Sequence, residues 1–377
     1  MREAYIISAV RTPIGVGKAT GALAPLTPID ITALVMKEAV RRAGIEPGQV
    51  EDAVWGCVTP LGDQGANLAR LGVLKAGFPV RVPAVTLNRM CGSGQQSIHF
   101  AAQALIASDL DIVLAGGTEM MSHQAIGSDW PERWPEDFPY DLVHQGISAE
   151  MMVEKWGLER QALDDFSYQS HYRAMIAIQE GRFDEQIMPV TRPDGLVVKI
   201  DEGVRMPPDR ERMATLKPVF KTNGTITAGN SSQISDASAA LMLASEIAVG
   251  RYNLSPKARI VCRVAIGSDP VLMLDGPILA TREVLRKAGL SLDEIDVIEI
   301  NEAFASVILA WAIELHPDMG RVNPNCGAIA LGHPLGATGT ILMTKLVAEL
   351  ERCKGRYGLQ TMCIGHGMAT ATIIERV

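Results

Sequence analysis

The sequence lacks closely spaced cysteines. Its six cysteines are far apart and include no C-x-x-C pair: Cys57, Cys91, Cys262, Cys326, Cys353 and Cys363. This spacing argues against a zinc site and against a small disulfide scaffold. We therefore expect reduced thiols, a cytoplasmic location and no bound metal.

The sequence also lacks a surplus of basic residues and any long hydrophobic run. The net charge is −8 at pH 7, whereas a protein that binds nucleic-acid phosphates is usually basic. No apolar run approaches the roughly 18 residues of a membrane span, and the first residues lack the basic-then-apolar order of a signal peptide. We expect no nucleic-acid partner and no membrane span, and an anionic ligand would need a local basic patch.

Short apolar strands alternate with amphipathic helices from the start of the chain. The pattern predicts a strand at 5–10, a helix at 28–43 and a strand at 53–58. This alternation is typical of α/β proteins, in which helices cover both faces of a mainly parallel sheet. At 377 residues, two or three domains are expected.

The second half of the chain repeats the first. Residues 38–56 and 283–301 share a helix, an Ala-Gly stop, an acidic turn and an apolar strand, at a fixed offset of 245. Helix–turn–strand units also look alike by chance, but a true duplication predicts two sheets related by a pseudo-twofold axis. A site would then form where the halves meet.

Between the halves lies a basic stretch, residues 205–221. This stretch contains only two acidic residues, Asp209 and Glu211. It contains five basic residues: Arg205, Arg210, Arg212, Lys217 and Lys221. A solvated surface and a docking patch for a phosphorylated ligand are both compatible with this pattern.

Cys91 is the first candidate for chemistry. It follows an extended run at 82–87 and precedes a helical pattern, so the thiol lies at a strand-to-helix junction. Unpaired N–H groups at a helix N-terminus favour a thiolate and lower its pKa. A structural cysteine is the alternative, but the Gly-Ser-Gly sequence that follows favours close approach by a substrate.

A thiolate needs a base and oxyanion donors, and three residues of the second half fit. His333 lies in a glycine-dense turn just before a helix, although a lone histidine is more often structural. Cys363 is predicted at the mouth of a glycine-turn hairpin, exposed, where Gly365 presents a backbone N–H. Asn301 ends a strand and either contacts an oxyanion or caps the next helix.

Together these motifs resemble those of the thiolases, the coenzyme A-dependent acyltransferases, over essentially the whole chain. Matching segments are VRTPIG (10–15), NRMCGSG (88–94), TAGNSS (227–232), NEAF (301–304), ALGHPLG (330–336) and the Cys363 hairpin. The resemblance implies a five-layered αβαβα subunit of two similar halves. It divides the chain into a first half (1–120 plus about 235–255), an inserted loop domain (121–234) for CoA and acyl binding, and a second half (256–377).

The resemblance also implies the reaction and the roles in it. The reaction is reversible cleavage of a 3-oxoacyl-CoA by CoA into acetyl-CoA and a shortened acyl-CoA, or the reverse condensation. Cys91 becomes the acylated nucleophile, His333 its activator and Cys363 the second acid/base. Asn301 holds the water of one oxyanion hole, which His333 shares, and the N–H groups of Cys91 and Gly365 form the other. CoA is a co-substrate, with no permanently bound cofactor or metal.

Four further residues match family positions that bind the acyl-CoA. Ser232, His144 and Phe304 match the lining of the pantetheine and thioester tunnel, and Arg205 matches a position near the nucleotide end. The expected partners are acyl-CoA, CoA and further copies of the chain. Because residues 122–144 form a shorter segment than in biosynthetic members, a dimer is favoured over a tetramer.

Three positions depart from the family pattern. His366 stands where many members have glycine, Gln95 where leucine is common, and Ser235 begins Ser-Asp-Ala instead of Asn-Asp-Gly. We expect these positions, with the short segment 122–144, to touch the acyl pocket or the assembly surface. The acyl chain and the subunit number therefore stay open.

Two rival functions are compatible with such a fold. Ketoacyl synthase-like condensing enzymes use histidines, or histidine and asparagine, without a second reactive cysteine, so Cys363 speaks against them. A catalytically silent acyl-CoA-binding protein would have lost Cys91, His333 or Cys363, and all three are present.

Overall fold

The computed structural model of the protein describes residues 2–377. Its strands are β1 (Ala4–Arg11), β2 (Gly15–Val16), β3 (Asp52–Gly56), β4 (Ala84–Leu87), β5 (Ile112–Met120), β6 (Val190–Thr191), β7 (Val197–Val198), β8 (Ser235–Ser245), β9 (Ala258–Gly267), β10 (Val297–Ile300), β11 (Tyr357–Ile364) and β12 (Met368–Arg376). Its α-helices are α1 (Pro28–Ala43), α2 (Leu68–Lys75), α3 (Ser93–Ala107), α4 (Gln145–Trp156), α5 (Arg160–Gln179), α6 (Arg210–Ala214), α7 (Glu246–Tyr252), α8 (Gly276–Ala288), α9 (Ala305–Leu315), α10 (Ala328–Leu331) and α11 (Leu335–Cys353). The predicted α/β class is confirmed.

Helix α1 illustrates how the local sequence sets the ends of an element. The side chain of Thr27 accepts a hydrogen bond from the N–H of Asp30, and Pro28 occupies the first turn, where its missing N–H costs nothing. Gly44 ends the helix at φ 69°, a left-handed conformation that glycine adopts without steric cost. The predicted helix bounds therefore match the observed ones.

The strands lie in the order β10-β11-β12-β9-β1-β8-β5-β3-β4. Strands β4, β3, β5, β8 and β1 form the sheet of the first half, and β9, β12, β11 and β10 form that of the second. The two sheets are joined where β1 pairs with β9, at Tyr5 with Arg259 and Ile6 with Ala258. The two predicted sheets are therefore present, and this short antiparallel contact makes them one hydrogen-bonded path.

Five layers are stacked in the subunit. Helices α1 and α2 cover the outer face of the first sheet, and α8 and α9 cover the outer face of the second. Helices α3 and α11 lie between the sheets, where one core cluster joins Ile98 and Leu346 of these helices to Val113 of β5 and Val297 of β10. The five-layered αβαβα architecture is confirmed.

The internal repeat of the sequence is also a structural repeat. Helices α1 and α8 both end at a left-handed glycine, Gly44 at φ 69° and Gly289 at φ 68°. Each is followed by a one-turn 3-10 helix with a capping box, Pro47–Gln49 and Leu292–Glu294, and then by a parallel strand, β3 or β10. The same local signals thus build the same unit twice.

Residues 121–234, between β5 and β8, hold helices α4 to α6 and the ribbon β6–β7. Two buried contacts fix this segment to the halves. Arg11 of β1 pairs with both oxygens of Asp201 at 2.7 and 2.9 Å, and Ser170 of α5 donates to Glu302 after β10 at 2.6 Å. The segment is therefore held against both halves, while the domain boundaries given above remain a prediction.

Among residues 2–377, no helix combines the length and the apolar character needed to cross a membrane. In the same residues, no three His, Cys, Asp or Glu side chains gather as metal ligands would.

Candidate active site

Cys91 lies between β4 and α3, at the predicted strand-to-helix junction. Its neighbour Gly92 is the N-cap residue of α3, and a Cβ atom there would lie 2.2 Å from Cδ1 of Ile364. A larger residue at position 92 would therefore displace the side chain of Ile364 in β11, and glycine lets this side chain pack beside the nucleophile candidate. Cys91 is buried, with 5% of its surface exposed.

Three donors face the sulfur of Cys91: the N–H of Gly365, the side chain of Gln145 and the N–H of Cys91 itself. Each lowers the pKa of the thiol, but burial outweighs them and raises this pKa above its ordinary value. The predicted lowering of the Cys91 pKa is therefore wrong for this structure, because the helix N-terminus lies in a closed, poorly solvated site.

Cys363 lies near the end of β11 with 2% of its surface exposed. The prediction of an exposed side chain is wrong, because Cys363 belongs to the same apolar cluster as Phe304 and Met273. Burial raises the pKa of Cys363, and the Cys91 thiol raises it further. Cys363 therefore lies close enough to Cys91 for a charge on the Cys91 sulfur to affect it.

The motifs of the two halves meet in one small apolar cluster around Cys91. It contains Val58 after β3, Leu335 at the start of α11, and Met362 and Ile364 on either side of Cys363. The structure thus brings the cysteine, histidine and hairpin motifs to one place between the halves.

His333 precedes α11 and is held in one orientation. Its Nδ1 lies 2.7 Å from the hydroxyl of Thr338, which donates its own proton to the carbonyl of Pro334 at 2.9 Å. The hydroxyl can then only accept from Nδ1–H, so Nε2 of the neutral ring carries the lone pair. Burial lowers the pKa of His333 to about 4, which keeps the ring neutral at pH 7.

Asn301 follows β10, and its side-chain nitrogen lies 3.4 Å from Nε2 of His333. The next helix, α9, has Phe304 as its N-cap residue, so Asn301 does not cap it. Asn301 and His333 therefore face each other across one polar corner of the site.

Glu119 of β5 links the turn that carries His333 to the first half of the chain through hydrogen bonds. Its fully buried carboxyl accepts from the N–H of Gly336 at 2.8 Å and from the N–H of Val58 at 2.8 Å, and it also faces Gln64 at 3.0 Å. Burial raises the pKa of Glu119. The neighbouring N–H groups, however, all donate hydrogen bonds to its oxygens, and such donors favour the ionised carboxylate.

Three of the four predicted substrate-binding residues lie close together. The ring of His144 stacks on Phe220 at 5.1 Å, and Phe220 meets Phe304 edge-on at 6.1 Å. The backbone N–H of Ser232 donates to the carbonyl of Ala303, next to Phe304. His144, Phe220 and Phe304 form one aromatic wall, and the backbone of Ser232 is held next to it.

Arg205 does not contact this wall. Its side chain is exposed, and its backbone N–H donates to Nδ1 of His171 at 3.2 Å. Of the other cations in the basic stretch, Arg210 pairs with Asp165 and Lys221 with Glu154.

Two cavities are compared as candidates for the acyl pocket. A cavity of about 420 Å³ lies against α5 and α9, and none of the catalytic candidates lines it. A smaller one, of about 100 Å³, is lined by His144, Gln145, Gly365 and His366 and by Trp130 and Trp134. The smaller cavity is the better candidate for the acyl pocket, because Gly365 and Gln145 also contact the Cys91 sulfur.

The three departures from the family pattern lie in different places. His366 lines the smaller cavity, and the expectation that it touches the acyl pocket stays a prediction. Gln95 is fully buried and bonds to Thr370 and Thr372 of β12, so the expectation that it touches the acyl pocket or the assembly surface is wrong. Ser235 is buried at the start of β8.

Sequence reasoning missed Gln145, Thr338 and Glu119. Thr338 lies five residues after His333 in the same glycine-dense segment, which is a usable signal. Gln145 directly follows His144, but nothing local indicates that its side chain reaches Cys91. Glu119 reaches its partners across the molecule, and such contacts leave no local pattern.

Comparison with known proteins assigns the whole chain to one family. Residues 4–247 match the family model "Thiolase, N-terminal domain" and residues 254–376 match "Thiolase, C-terminal domain". The chain is 47% identical to the steroid 3-ketoacyl-CoA thiolase FadA6 of Mycobacterium tuberculosis, over 100% of the chain and 95% of that protein. It is 40% identical to the 3-ketoacyl-CoA thiolase of Bacillus subtilis, over the full length of both.

A solved structure agrees in fold. The acetyl-CoA acetyltransferase of Bacillus anthracis superposes with a TM-score of 0.93 at 37% identity, over 100% of the chain and 99% of that structure. With both family models matched and relatives aligned from end to end, the chain belongs to the thiolase family and is an acyltransferase.

Proposed function

We propose that Cys91, His333 and Cys363 carry out the thiolase reaction of this chain. The Cys91 sulfur attacks the C3 carbonyl of a 3-oxoacyl-CoA while its proton passes to Nε2 of His333. The C2–C3 bond then breaks, the acyl group stays on Cys91, and C2 of the departing acetyl-CoA takes the proton of Cys363. The thiol of an incoming CoA gives its proton to Cys363, and its sulfur attacks the acyl carbon. The bond between this carbon and Cys91 then breaks, and the Cys91 sulfur takes back the proton held on Nε2 of His333. The reverse sequence is the condensation.

Oxyanion stabilisation is divided between two places in this proposal. The N–H groups of Gly365 and Cys91, which point at the Cys91 sulfur, are suited to an oxygen on the carbon bonded to that sulfur. Asn301 and Nε2 of His333, 3.4 Å apart, are suited to the thioester oxygen of the second substrate through a water held by Asn301.

One observation carries the proposal: the part of β11 that holds Cys363 packs against Cys91, with Met362 and Ile364 in the same buried cluster, in a closed site that also holds the N–H donor of Gly365. A single thiol would suffice for a silent binding protein or for simple acyl transfer. A second one beside the acylated sulfur is needed to move a proton at the α-carbon.

Two cysteine variants test the proposal. Cys91→Ala should form no covalent adduct with acetyl-CoA, measured as added mass on the intact protein. Cys363→Ala should still gain the acetyl group, while its turnover of acetoacetyl-CoA and CoA falls about 10²- to 10⁴-fold, as for loss of a general acid/base.

Cys353 provides the matched control, since it is exposed near the end of α11. Cys353→Ala should keep both acylation and turnover. Acylation of Cys91→Ala, or near-normal turnover by Cys363→Ala, would contradict the proposed roles, and an unmodified protein that takes no acyl group would be a silent binder.

The proposal extends to the CoA end of the substrate. His144, Ser232 and Phe304 line the path of the pantetheine arm, and the wall that His144 and Phe304 form with Phe220 supports this. Arg205 is proposed to contact the phosphates, because its exposed guanidinium has no carboxylate within ion-pair distance among residues 2–377.

Assembly and location complete the proposal. We propose a homo-oligomer, with a dimer favoured, because strand β4 at one end of the sheet has a neighbour, β3, on one side only within the described chain. A cytoplasmic location is supported by the cysteines, all six of which are free, as is usual in a reducing compartment.

A further inference from the structure

A short segment, residues 321–323, runs along the edge of β10 that faces away from β11. The N–H of Ile298 donates to the carbonyl of Arg321 at 2.9 Å, and the N–H of Asn323 donates to the carbonyl of Ile298 at 2.8 Å. At Asn323 the backbone enters the left-handed region at φ 45°, which asparagine adopts more readily than most residues. The backbone pairing therefore stops two residues before β10 ends at Ile300.

The side chain of Asn323 continues this pairing. Its Oδ1 accepts from the N–H of Ile300 at 2.9 Å, and its Nδ2 donates to the carbonyl of Ile300 at 2.9 Å. The second N–H of the amide donates to Oε1 of Glu302 at 2.9 Å. Because Ile300 offers one donor and one acceptor, only one orientation of the amide fits. The carboxamide thus takes the place of a peptide group in a neighbouring strand.

The residues that Asn323 holds lie on either side of Asn301. Ile300 comes directly before Asn301 and Glu302 directly after it, and all of them are buried. Within the described part of the chain, the side chain of Asn301 has a single hydrogen-bond partner, Nε2 of His333, at 3.4 Å. A contact of this length is weak. The orientation of Asn301 therefore depends mainly on the backbone that Asn323 fixes.

Helix α5 holds the same group of residues from the other side. Ser170 donates to Oε2 of Glu302 at 2.6 Å. Arg173 donates to the carbonyls of Val322 and Asn323 at 2.7 and 3.2 Å. Asn323 is thus fixed in both its backbone and its side chain, and it can transmit this fixed position to the end of β10.

We propose that Asn323 is a positioning residue for the step in which the C2–C3 bond of the substrate breaks or forms. It holds Asn301 where the water bound by Asn301 meets the thioester oxygen of acetyl-CoA, and it contacts no substrate itself. The inference rests on the proposed function, in which this oxygen gains negative charge only in that step. Acylation of Cys91 by acetyl-CoA uses the N–H groups of Cys91 and Gly365 instead, so it does not depend on Asn323.

The variant Asn323→Asp tests this separation. It keeps the size of the side chain and tolerates the left-handed backbone. It also replaces Nδ2 by an oxygen that faces two acceptors, the carbonyl of Ile300 and the carboxylate of Glu302. Both contacts then become repulsive, which should displace Asn301.

Two rates are measured on each preparation. Cleavage of acetoacetyl-CoA by CoA requires the carbon–carbon step, whereas exchange of labelled CoA into acetyl-CoA requires only acylation of Cys91 and its reversal. In Asn323→Asp, the kcat for cleavage should fall about 10- to 100-fold with KM unchanged, as for a catalytic group misplaced by about 1 Å. The exchange rate should stay within about twofold of that of the unmodified protein, because hydrogen-bond donors of the other oxyanion hole serve it.

Asn325 supplies the matched control. It is a second buried asparagine of the same loop, and its Nδ2 donates to Oε2 of Glu349 at 2.6 Å. Asn325→Asp therefore makes the same change beside another glutamate, and neither side-chain partner of Asn325, Glu349 or Arg182, belongs to β10. It should keep the ratio of cleavage to exchange. Asn323→Gly removes the amide without straining the left-handed backbone, and it should reproduce the selective loss of cleavage.

The outcomes distinguish this inference from the proposed function. Equal losses of cleavage and exchange in the Asn323 variants, or unchanged cleavage, would overturn the inference alone, provided that the unmodified protein catalyses both reactions. The same holds if Asn325→Asp shows a selective loss of equal size, or if neither Asn323 variant folds while Asn325→Asp does. An unmodified protein that neither cleaves nor exchanges would overturn the proposed function itself.

Discussion

At the scale of single residues, Cys91 and His333 are neutral at pH 7. Burial lowers the pKa of His333 to about 4 and raises the pKa of Cys91 above its ordinary value. A thiolate–imidazolium pair is therefore not the resting form. Proton transfer to Nε2 of His333 belongs to the attack on the substrate, when the donors around the sulfur also meet the developing oxyanion.

This resting state predicts the pH dependence of Cys91 alkylation. Iodoacetamide reacts with the thiolate, and the raised pKa means that the thiolate fraction keeps growing as the pH rises beyond 8.5. The alkylation rate of Cys91 should therefore still increase between pH 7.5 and 9.5, as followed by mass spectrometry of its peptide. A rate that levels off below pH 7 would instead indicate a thiolate–imidazolium pair with His333.

At the scale of elements, helices α3 and α11 touch through their backbones. A Cβ atom on Gly339 of α11 would lie 2.1 Å from the backbone nitrogen of Gln95, and one on Gly94 of α3 would lie 2.8 Å from the carbonyl oxygen of Gly336. One helix begins at the nucleophile motif and the other directly after the His333 turn. The glycine contacts therefore set the spacing of the two functional groups.

Adding one methyl group to this contact should separate the helices. We predict that Gly339→Ala lowers the free energy of unfolding by about 1–3 kcal/mol, as overpacking does, and lowers turnover as well. The midpoint of urea unfolding measures the first effect.

Gly250→Ala in α7 is the control, because a Cβ atom there meets nothing within 4 Å. This variant should be as stable as the unmodified protein or more stable by about 0.5–1 kcal/mol. Equal losses in both variants would contradict the steric argument.

The elements and the reactive residues could be predicted from sequence because both have local signals. Helix α1 carries its own caps, and Cys91 and His333 lie in glycine-dense motifs. The burial of a residue by distant parts of the chain has no such local signal. The sequence around Cys363 predicts a hairpin turn, but it does not show that other segments pack over Cys363 and bury it. The Gln145 contact with Cys91 likewise depends on how the inserted segment folds back.

At the scale of the whole molecule, the open edge at β4 indicates how copies associate. Its residue Val85 is 47% exposed, and an unpaired apolar edge strand is a template for a second copy. We expect a homodimer through this edge at micromolar concentration, measured by light scattering. A monomer would contradict the expectation of an oligomer, and a salt-resistant tetramer held through residues 122–144 would contradict the preference for a dimer.

A charge on the edge should weaken this dimer. Val85→Lys places like charges close together across the twofold contact, so the average mass should fall towards that of one chain. Leu279→Lys is the control, because Leu279 is similarly exposed, at 43%, but lies on α8. Equal behaviour of the two variants would place the interface elsewhere.

The central position of β1 has a consequence for synthesis of the chain. Its residues 4–11 pair with β8, residues 235–245, so its main partner is made more than two hundred residues later. At roughly 5–20 residues per second, the first strand waits about 10–45 seconds on the ribosome before that partner exists. The apolar β1 thus stays unpaired with β8 for much of translation, and contacts so distant in sequence slow folding.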